Sequence, residues 1–410
     1  MVKENTMKQT EIGLLPEDWE VIKLGEVANI VGGGTPSTFN SNYWNGNIEW
    51  FTPTEVGYSK YLFSSRRKIT DLGFKNASAN LLPQNSILLT TRAGIGDLGI
   101  LKIEACTNQG FQSIVCKQDL NFEYAYYLIA TKKDELIKHA SGSTFLEISP
   151  NKIKNIQIPL PPLPEQKAIA EVLSDADTWI ESLVQLIAKK RLIKQGAMQE
   201  LLSPKEDWEV KKLGDLTKIF TKQTGFDYSA YIKPSLVRIK TDETIPFIQN
   251  KDFKNKWINL NTDYFIPKSI ALNFPKIVLN EKALLVSISG SVGNVGVYDL
   301  PDLAFIGGAV AILKFKNPLL IDWVSVYLQS DAGQIKLLNN VKSGSHQNLI
   351  LDDIRKIEIL FPDFPEQTRI AKILSDMDAE LEALEGQLGK ARKVKQGMMQ
   401  ELLTGRVRLV

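Results

Sequence analysis

The stretch PEQKAIAEVLSDADTWIESLVQLIAKKRLIKQGAMQELL (residues 164–202) decides the fold, because it returns as PEQTRIAKILSDMDAELEALEGQLGKARKVKQGMMQELL (residues 365–403). The two copies align without a gap, 201 residues apart, and 21 of their 39 positions are identical. A shorter repeat opens each half of the chain, since EDWEV stands at residues 17–21 and again at 206–210. Solenoid repeats have much shorter periods. The chain is therefore two half-molecules, each a globular body followed by a long helix.

Both copies place apolar residues at alternating spacings of four and three, which is the pattern of a coiled-coil seam. Ala176 and Met377 occupy the same phase in the two copies. The predicted spacer-helix seam consists of Ile169, Leu173, Ile180, Leu183 and Ile187 in the first copy and Ile370, Leu374, Leu381, Leu384 and Leu388 in the second.

The order of charges along each copy indicates how the helices pair. Acidic residues such as Asp177 and Asp378 come early, and basic residues such as Lys194 and Lys395 come late. An antiparallel pair sets acid against base, whereas a parallel pair sets like against like. We therefore expect an antiparallel pair with an approximate two-fold axis. The alternative is that each helix packs only on its own body.

The segments between the helices have the short strands and frequent turns of mixed α/β bodies. Gly96, Gly99 and Gly110 recur 197 residues later as Gly293, Gly296 and Gly307, so the bodies share a fold, but the segments before these glycines diverge. We predict an α/β (α+β) architecture: two similar mixed α/β globular domains separated by two long antiparallel coiled-coil helices, with a pseudo-two-fold internal repeat. The predicted boundaries are 1–162, 163–203, 204–362 and 363–410.

Composition excludes several classes of protein. Hydrophobic residues make up 43% of the chain, which suffices for packed cores, and no apolar run reaches the length of a membrane span. The polar start has no signal-peptide core, and the two cysteines are too few for a disulfide scaffold, so we expect a reduced, cytoplasmic setting. With 49 basic and 47 acidic residues, any nucleic-acid contact depends on local patches or on partners.

No catalytic constellation emerges from the motifs. Residues 94–99 match GxGxxG, but the apolar run that follows predicts a strand rather than the helix of a dinucleotide site. His139 and His346 are the only histidines and do not align between the repeats, so metal binding and histidine catalysis are not expected. We predict no catalytic residue, no metal and no cofactor in this chain, which is typical of a recognition or assembly subunit.

Candidate DNA contacts are side chains of the types that read base edges and phosphates, and for any one of them the alternative is a solvated surface residue. In body one they are Asn42, Tyr43, Lys60, Arg66, Arg67, Lys68, Thr90 and Arg92. In body two they are Gln249, Asn250, Lys251, Lys254, Ser287, Ser289 and His346.

These features together resemble the specificity subunit of type I restriction–modification systems. The resemblance lies in the duplicated PEQ helix, the ending KQGMMQELLTGRVRL (395–409), and the body-one motifs GGGTPS (32–37) and TRAGIGDLG (91–99). It implies a non-catalytic protein whose two bodies are target recognition domains, each reading one half of a bipartite, asymmetric double-stranded DNA site. The helices would set the gap between the halves.

The resemblance also implies partners. Two methylation subunits, carrying S-adenosylmethionine, would dock on the helices, and ATP-dependent restriction subunits would join them. Three alternatives remain open from the residues alone. The first is a solitary recognition scaffold or decoy fragment without partner enzymes. The second is the recognition scaffold of a methyltransferase–nuclease that acts without restriction subunits, and the third is a coiled-coil adaptor with no DNA role.

Overall fold

A computed structural model of the chain describes residues 6–92, 94–140, 147–254, 256–339 and 348–409. It forms two compact units, residues 1–183 with 388–410 and residues 184–387. Each unit thus combines one body with the start of its own long helix and the end of the helix from the other repeat. The division between the units falls inside both long helices, whereas the predicted domain boundaries fall at the ends of the repeats. Those boundaries remain a prediction.

The first unit contains one body and the start of a long helix. Its strands are β1 (Met7–Thr10), β2 (Gly13–Pro16), β3 (Glu20–Lys23), β4 (Ala28–Gly32), β5 (Trp44–Phe51), β6 (Tyr61–Leu62), β7 (Arg67–Ile69), β8 (Ile87–Leu89), β9 (Leu98–Leu101), β10 (Ala105–Thr107), β11 (Gln112–Cys116) and β12 (Gln157–Leu160). Its helices are α1 (Leu24–Val27), α2 (Asp71–Asn76), α3 (Phe122–Ala130), α4 (Lys133–His139), α5 (Pro150–Lys154) and the first 21 residues of α6 (Leu163–Leu201).

The second unit has a similar order without a counterpart of the β1–β2 hairpin. Its strands are β13 (Glu209–Lys212), β14 (Thr217–Lys222), β15 (Thr244–Ile248), β16 (Phe253–Lys254), β17 (Trp257–Ile258), β18 (Phe265–Pro267), β19 (Val278–Leu279), β20 (Ala283–Ser287), β21 (Val295–Tyr298), β22 (Ala304–Ile306), β23 (Val310–Phe315) and β24 (Glu358–Phe361). Its helices are α7 (Leu213–Leu216), α8 (Gly225–Asp227), α9 (Lys268–Ala271), α10 (Ile321–Gln329), α11 (Asp331–Leu338), α12 (Leu351–Arg355) and most of α13 (Phe364–Leu402).

The main sheets of the two bodies share a topology. Body one has the strand order β4-β11-β8-β9-β6, and body two has β14-β23-β20-β21-β17-β16. The smaller sheets also share a core, since β10-β5-β7 in body one corresponds to β22-β15-β18 in body two, and body two adds β19. Their strands differ in length, as β5 has eight residues and β15 has five. The predicted common scaffold is confirmed.

The central strand of each main sheet separates two hydrophobic cores. In β8, Ile87 and Leu89 pack into the core that contains the long helices, and Leu88 packs into a second core on the opposite face. In β20, Leu284 packs into the core of body two that contains the long helices, and Leu285 packs into a second core on the opposite face. Successive side chains of a strand point to opposite faces, so an unbroken apolar run serves both cores.

Each helix-side core is completed by the end of the other repeat's helix. In the first unit, Ile169 and Leu173 of α6 share a core with Leu402 at the end of α13. In the second unit, Ile370 and Leu374 of α13 share a core with Leu202, just beyond the end of α6. The two helices therefore run antiparallel in both units.

The ion pairs between the helices repeat with the period of the sequence. Lys395 of α13 pairs with Asp177 of α6 in the first unit, and Lys194 of α6 pairs with Asp378 of α13 in the second. The two lysines are 201 residues apart, as are the two aspartates (395 − 194 and 378 − 177). Further pairs in the second unit join Lys190 to Glu380 at 2.6 Å and Arg191 to Glu385 at 2.6 Å. The direction inferred from the charge order is confirmed.

The predicted seam residues are buried or half-buried along both helices. Ile180, Leu384 and Leu388 are the half-buried members. The fully buried members are Ile169, Leu173, Leu183, Ile187, Ile370, Leu374 and Leu381. Among the described residues, no helix is both long and apolar enough to cross a membrane.

Candidate nucleic-acid interface

The three consecutive glycines of body one form a loop that lies directly against a neighbouring segment. The backbone N–H of Gly34 donates to the Thr107 carbonyl at 2.8 Å, and the indole N–H of Trp50 donates to the Gly34 carbonyl at 2.9 Å. A Cβ on Gly33 would stand 2.1 Å from the Asn108 carbonyl oxygen, so a side chain there would collide with backbone. The glycine motif thus has a local packing reason.

An aromatic platform follows this loop. The guanidinium carbon of Arg67 lies 3.7 Å from the ring centroid of Trp44 and 5.5 Å from that of Trp50. Stacking on an indole holds the cation in place, and Arg67 remains exposed. Asn42, also exposed, and the half-buried Tyr43 stand just before Trp44. The pairing of β5 with β7 therefore brings Arg67 to Trp44, just after Asn42 and Tyr43, whereas Lys68 faces the other side of the strand with Glu49.

Three further basic residues of body one present charge near the surface. Arg66 is exposed. Lys68 pairs with Glu49 at 2.5 Å, and Arg92 pairs with Glu147 at 2.8 Å. The Arg92–Glu147 pair is exposed and contributes little to stability, so Arg92 can exchange its carboxylate for a phosphate at small cost, whereas Glu49 is largely buried and holds Lys68 more firmly.

Lys60 occupies a different environment from the other candidates. Its ammonium donates to the Tyr127 hydroxyl at 2.9 Å and to the Ser174 hydroxyl at 3.1 Å, and its side chain is only 11% exposed. Burial lowers the pKa of Lys60, against the opposing effect of the Glu123 and Asp177 carboxylates. Lys60 is therefore better explained as a structural contact between body one and α6 than as a reader of DNA.

The second unit repeats this contact. The Lys256 ammonium, with 3% of its side chain exposed, donates to the Ser375 hydroxyl at 3.4 Å. Ser174 and Ser375 are equivalent members of the duplicated LSD sequence. Sequence reasoning missed these serines because it assigned the repeat to helix pairing alone, although their identity in both copies was a usable signal.

Thr90 and Ser287, predicted as phosphate contacts, hold the glycine turns together instead. Thr90 Oγ1 donates to the Gly94 carbonyl at 2.6 Å, and Ser287 Oγ donates to the Ser291 carbonyl at 2.6 Å. Both side chains are buried. Gly94 has φ 115°, which favours glycine. As predicted, the GxGxxG match is a strand–turn–strand element, with β8 before it and β9 beginning within it at Leu98.

The candidates of body two surround the start of its divergent segment. Asn250 Nδ2 donates to the Ser289 carbonyl, which leaves Asn250 Oδ1 buried without a hydrogen-bond partner among the described residues. Gln249 is half-buried beside it. Lys251, paired with a neighbouring aspartate, and Lys254 are exposed. The backbone carbonyl of the half-buried Ser289 thus positions an amide, while the two lysines can meet phosphates.

His346 lies outside the described residues. Within the described part of the chain, no group of three or more histidine, cysteine, aspartate or glutamate side chains could hold a metal ion. Burial raises the pKa of Cys106 to about 11 and that of Cys116 to about 12, so both thiols are protonated and unreactive near neutral pH.

Two glutamines that the sequence interpretation did not single out have buried, unpartnered amide oxygens. Gln223 follows β14 in body two, and Gln112 begins β11 in body one. In the described residues, neither Oε1 has a hydrogen-bond partner. Their positions next to Gly225 and Gly110 carried a weak signal, because glycines often mark close backbone approach.

Two separate ranges of the chain, one in each half, match the same family of known proteins. Residues 16–189 and 205–390 each match the model of the type I restriction modification DNA specificity domain family. The two matches cover most of the chain, and the chain belongs to this family. It is a type I restriction–modification specificity subunit and is not itself an enzyme.

Individual relatives agree with this assignment. The MjaIX type I restriction enzyme specificity subunit of Methanocaldococcus jannaschii is 29% identical over 438 residues, covering 99% of this chain and 97% of that protein. The EcoR124I/EcoR124II specificity subunit of Escherichia coli is 29% identical over 185 residues, covering 43% of this chain and 45% of that protein. The crystal structure of the type I restriction–modification S subunit from M. genitalium has the same fold, with a TM-score of 0.61 at 17% identity over 98% of both chains.

Proposed function

We propose that the two bodies read the two halves of one bipartite, asymmetric DNA target and that the paired helices set the distance between the halves. One observation carries this proposal: the sheets and long helices of the two halves repeat, whereas the sequences before the glycine turns diverge between the two bodies. A common frame with two unlike faces suits a target whose halves differ in sequence.

The proposal includes partners. Two methylation subunits dock on the helical frame and methylate adenine with S-adenosylmethionine, and restriction subunits that use ATP join the complex in the cytoplasm. This chain contributes no cofactor of its own. A solved structure similar in fold, with a TM-score of 0.58 at 18% identity, comes from a study of complex assembly and conformational transition of the type I R-M system. The alternatives of a methyltransferase–nuclease scaffold or a non-DNA adaptor have no observation in their favour.

The proposal is tested by determining a methylome, which is the set of methylated adenines in a genome. The chain is expressed with its neighbouring methylation gene in a host that lacks other adenine methylation, and methylated adenines are mapped across the genome. We expect one motif made of two unlike half-sites separated by a fixed gap of unspecified bases. Methylation by the purified chain alone, or a continuous or palindromic motif, would contradict the proposal.

A further inference from the structure

We propose that a cavity in body two recognises a base with an exocyclic amino group in the second half-site, through the side chain of Gln223. This inference deepens the proposed function and rests on it. The cavity measures about 490 Å³ and lies between the end of β14 and the connection from β22 to β23. Its lining includes Lys222, Gln223, Tyr228, Phe247, Gln249 and Gly308.

The orientation of the Gln223 amide follows from its one hydrogen bond. Nε2 donates to the backbone carbonyl of Ile306. A carbonyl oxygen only accepts hydrogen bonds, so the atom that faces it must be the nitrogen, and the oxygen must face the other way. Gln223 is 4% exposed, and its Oε1 has no hydrogen-bond partner in the described part of the chain. A buried acceptor left in this state favours any ligand that brings a donor.

The chemistry of the acceptor selects the ligand. In the major groove, adenine N6 and cytosine N4 are the hydrogen-bond donors, whereas guanine and thymine present acceptors. Tyr228 and Phe247 give the cavity apolar walls, which strengthen a hydrogen bond by keeping water away. Lys222 is exposed at the edge of the cavity, where an ammonium can meet a phosphate. The cavity therefore suits adenine or cytosine and discriminates against guanine and thymine.

Body one has a different residue at the position of Gln223. The register of β4 with β11 pairs Gly32 with Gln112, and the register of β14 with β23 pairs Lys222 with Ala311. Gly33 is therefore equivalent to Gln223, and Gln112 is equivalent to Ala311, which does not line the cavity. The glutamine amide in this place belongs to body two, as two unlike half-sites require.

Gly308 offers a variant that separates recognition from folding. A Cβ on Gly308 would stand 3.5 Å from Gln223 Oε1, which is an ordinary contact. The backbone there does not have the positive φ that favours glycine, and Gly308 is exposed. Gly308→Ala should therefore fold normally while its methyl group covers the approach to the amide oxygen. Gln223→Leu removes the amide at similar volume and serves as the second variant.

The experiment uses the assembled methylation complex and two readouts. The methylome of Gly308→Ala should lose the requirement for adenine or cytosine at one position of the second half-site, while the first half-site stays unchanged as the internal control. In binding assays, replacing that base by an analogue without its amino group should weaken the wild-type complex roughly 10- to 100-fold. The same replacement should have little effect on Gly308→Ala or Gln223→Leu.

The outcomes distinguish the inference from the function on which it rests. If the wild-type complex yields no bipartite motif, the proposed function fails. If the wild type yields one but Gly308→Ala keeps both the motif and the analogue sensitivity, the Gln223 inference fails and the function stands. A change confined to the first half-site would also overturn the inference. Thermal melting of each variant excludes unfolding as the cause of any loss.

Discussion

Lys60 is the clearest case of a residue whose environment changes its interpretation. Lys60→Met removes an ammonium that contacts the Tyr127 and Ser174 hydroxyls in a largely buried site. We expect the free energy of unfolding of the first unit to fall by about 1–3 kcal/mol, because the buried Tyr127 hydroxyl and the half-buried Ser174 hydroxyl lose a charged partner. Denaturant unfolding measures the change, and the exposed Lys75→Met is the control. Equal stability of the two variants would contradict the structural role.

The Glu49 carboxylate predicts how the stability of the first unit depends on pH. Burial raises the pKa of Glu49, but hydrogen bonds from Lys68 and Ser65 outweigh it, so the pKa lies below its ordinary value of 4.5. A carboxylate with a lowered pKa in the folded state stabilises the fold above its unfolded pKa and loses this effect as pH falls through the folded value. Stability should therefore fall with pH below about 4.5, and less steeply in Glu49→Gln. Urea titrations at pH 6 and at pH 3.5 compare the two, and parallel curves would refute the assignment.

At the scale of elements, the ion pairs between the long helices predict the result of exchanging the charges of one pair. Lys395→Asp places two carboxylates together at Asp177. We expect a destabilisation of about 1 kcal/mol, which Asp177→Lys in the same chain should largely reverse. Lys194→Asp with Asp378→Lys is the matched cycle in the second unit. Additive effects of the two changes, measured by thermal unfolding, would mean that the pair does not interact.

The length of the helices predicts the gap in the target. Inserting one heptad at the middle of each helix adds about 10 Å at 1.5 Å per residue. Because one base pair occupies about 3.4 Å of duplex, the gap between half-sites should grow by about three base pairs. The methylome of the variant gives the gap directly. An insertion of seven residues in an exposed loop of body one is the control, and an unchanged gap in the helix variant would refute a spacer role.

The sequence predicted these helices well because they repeat and because their charges are ordered. The sequence repeat begins at Pro164 and Pro365, the predicted helical segments begin at residues 163 and 363, and the helices begin at Leu163 and Phe364. The candidate DNA contacts were harder to predict. Lys60 and Arg66 have similar surroundings in the sequence, yet one is buried against a helix and the other is exposed. That difference depends on tertiary packing, which no local pattern encodes.

The same limit explains why Gln223 and Gln112 were missed. The sequence gives no sign that a particular glutamine is functional, because most glutamines are solvated surface residues. Gln223 matters because its Oε1 has no hydrogen-bond partner among the described residues. That state arises because its Nε2 donates to the Ile306 carbonyl, a contact that depends on the tertiary fold. Thr90 and Ser287 show the converse, since their hydroxyls are occupied by the turns they belong to.

At the scale of the whole molecule, the repeat predicts that the bodies are exchangeable. Replacing residues 20–150 by the equivalent segment of another family member should change the first half-site and leave the second half-site and the gap unchanged, because the helical frame is retained. Methylome mapping of the chimera measures all three. The reciprocal exchange of residues 209–350 is the control. A change in both half-sites from one exchange would show that the bodies do not read DNA separately.

The core of the first unit also has a consequence for the order in which the protein forms. Leu402 and Leu403 are buried beside Trp19 and Ile169, and Leu409 packs against the same core. A ribosome that adds about 5–20 residues per second makes Leu402 some 12–50 seconds after Leu160, since 242 residues separate them (402 − 160). During that interval the nascent first body exposes an apolar surface that its own half of the chain cannot cover. The first body to be synthesised is thus the last whose core can close.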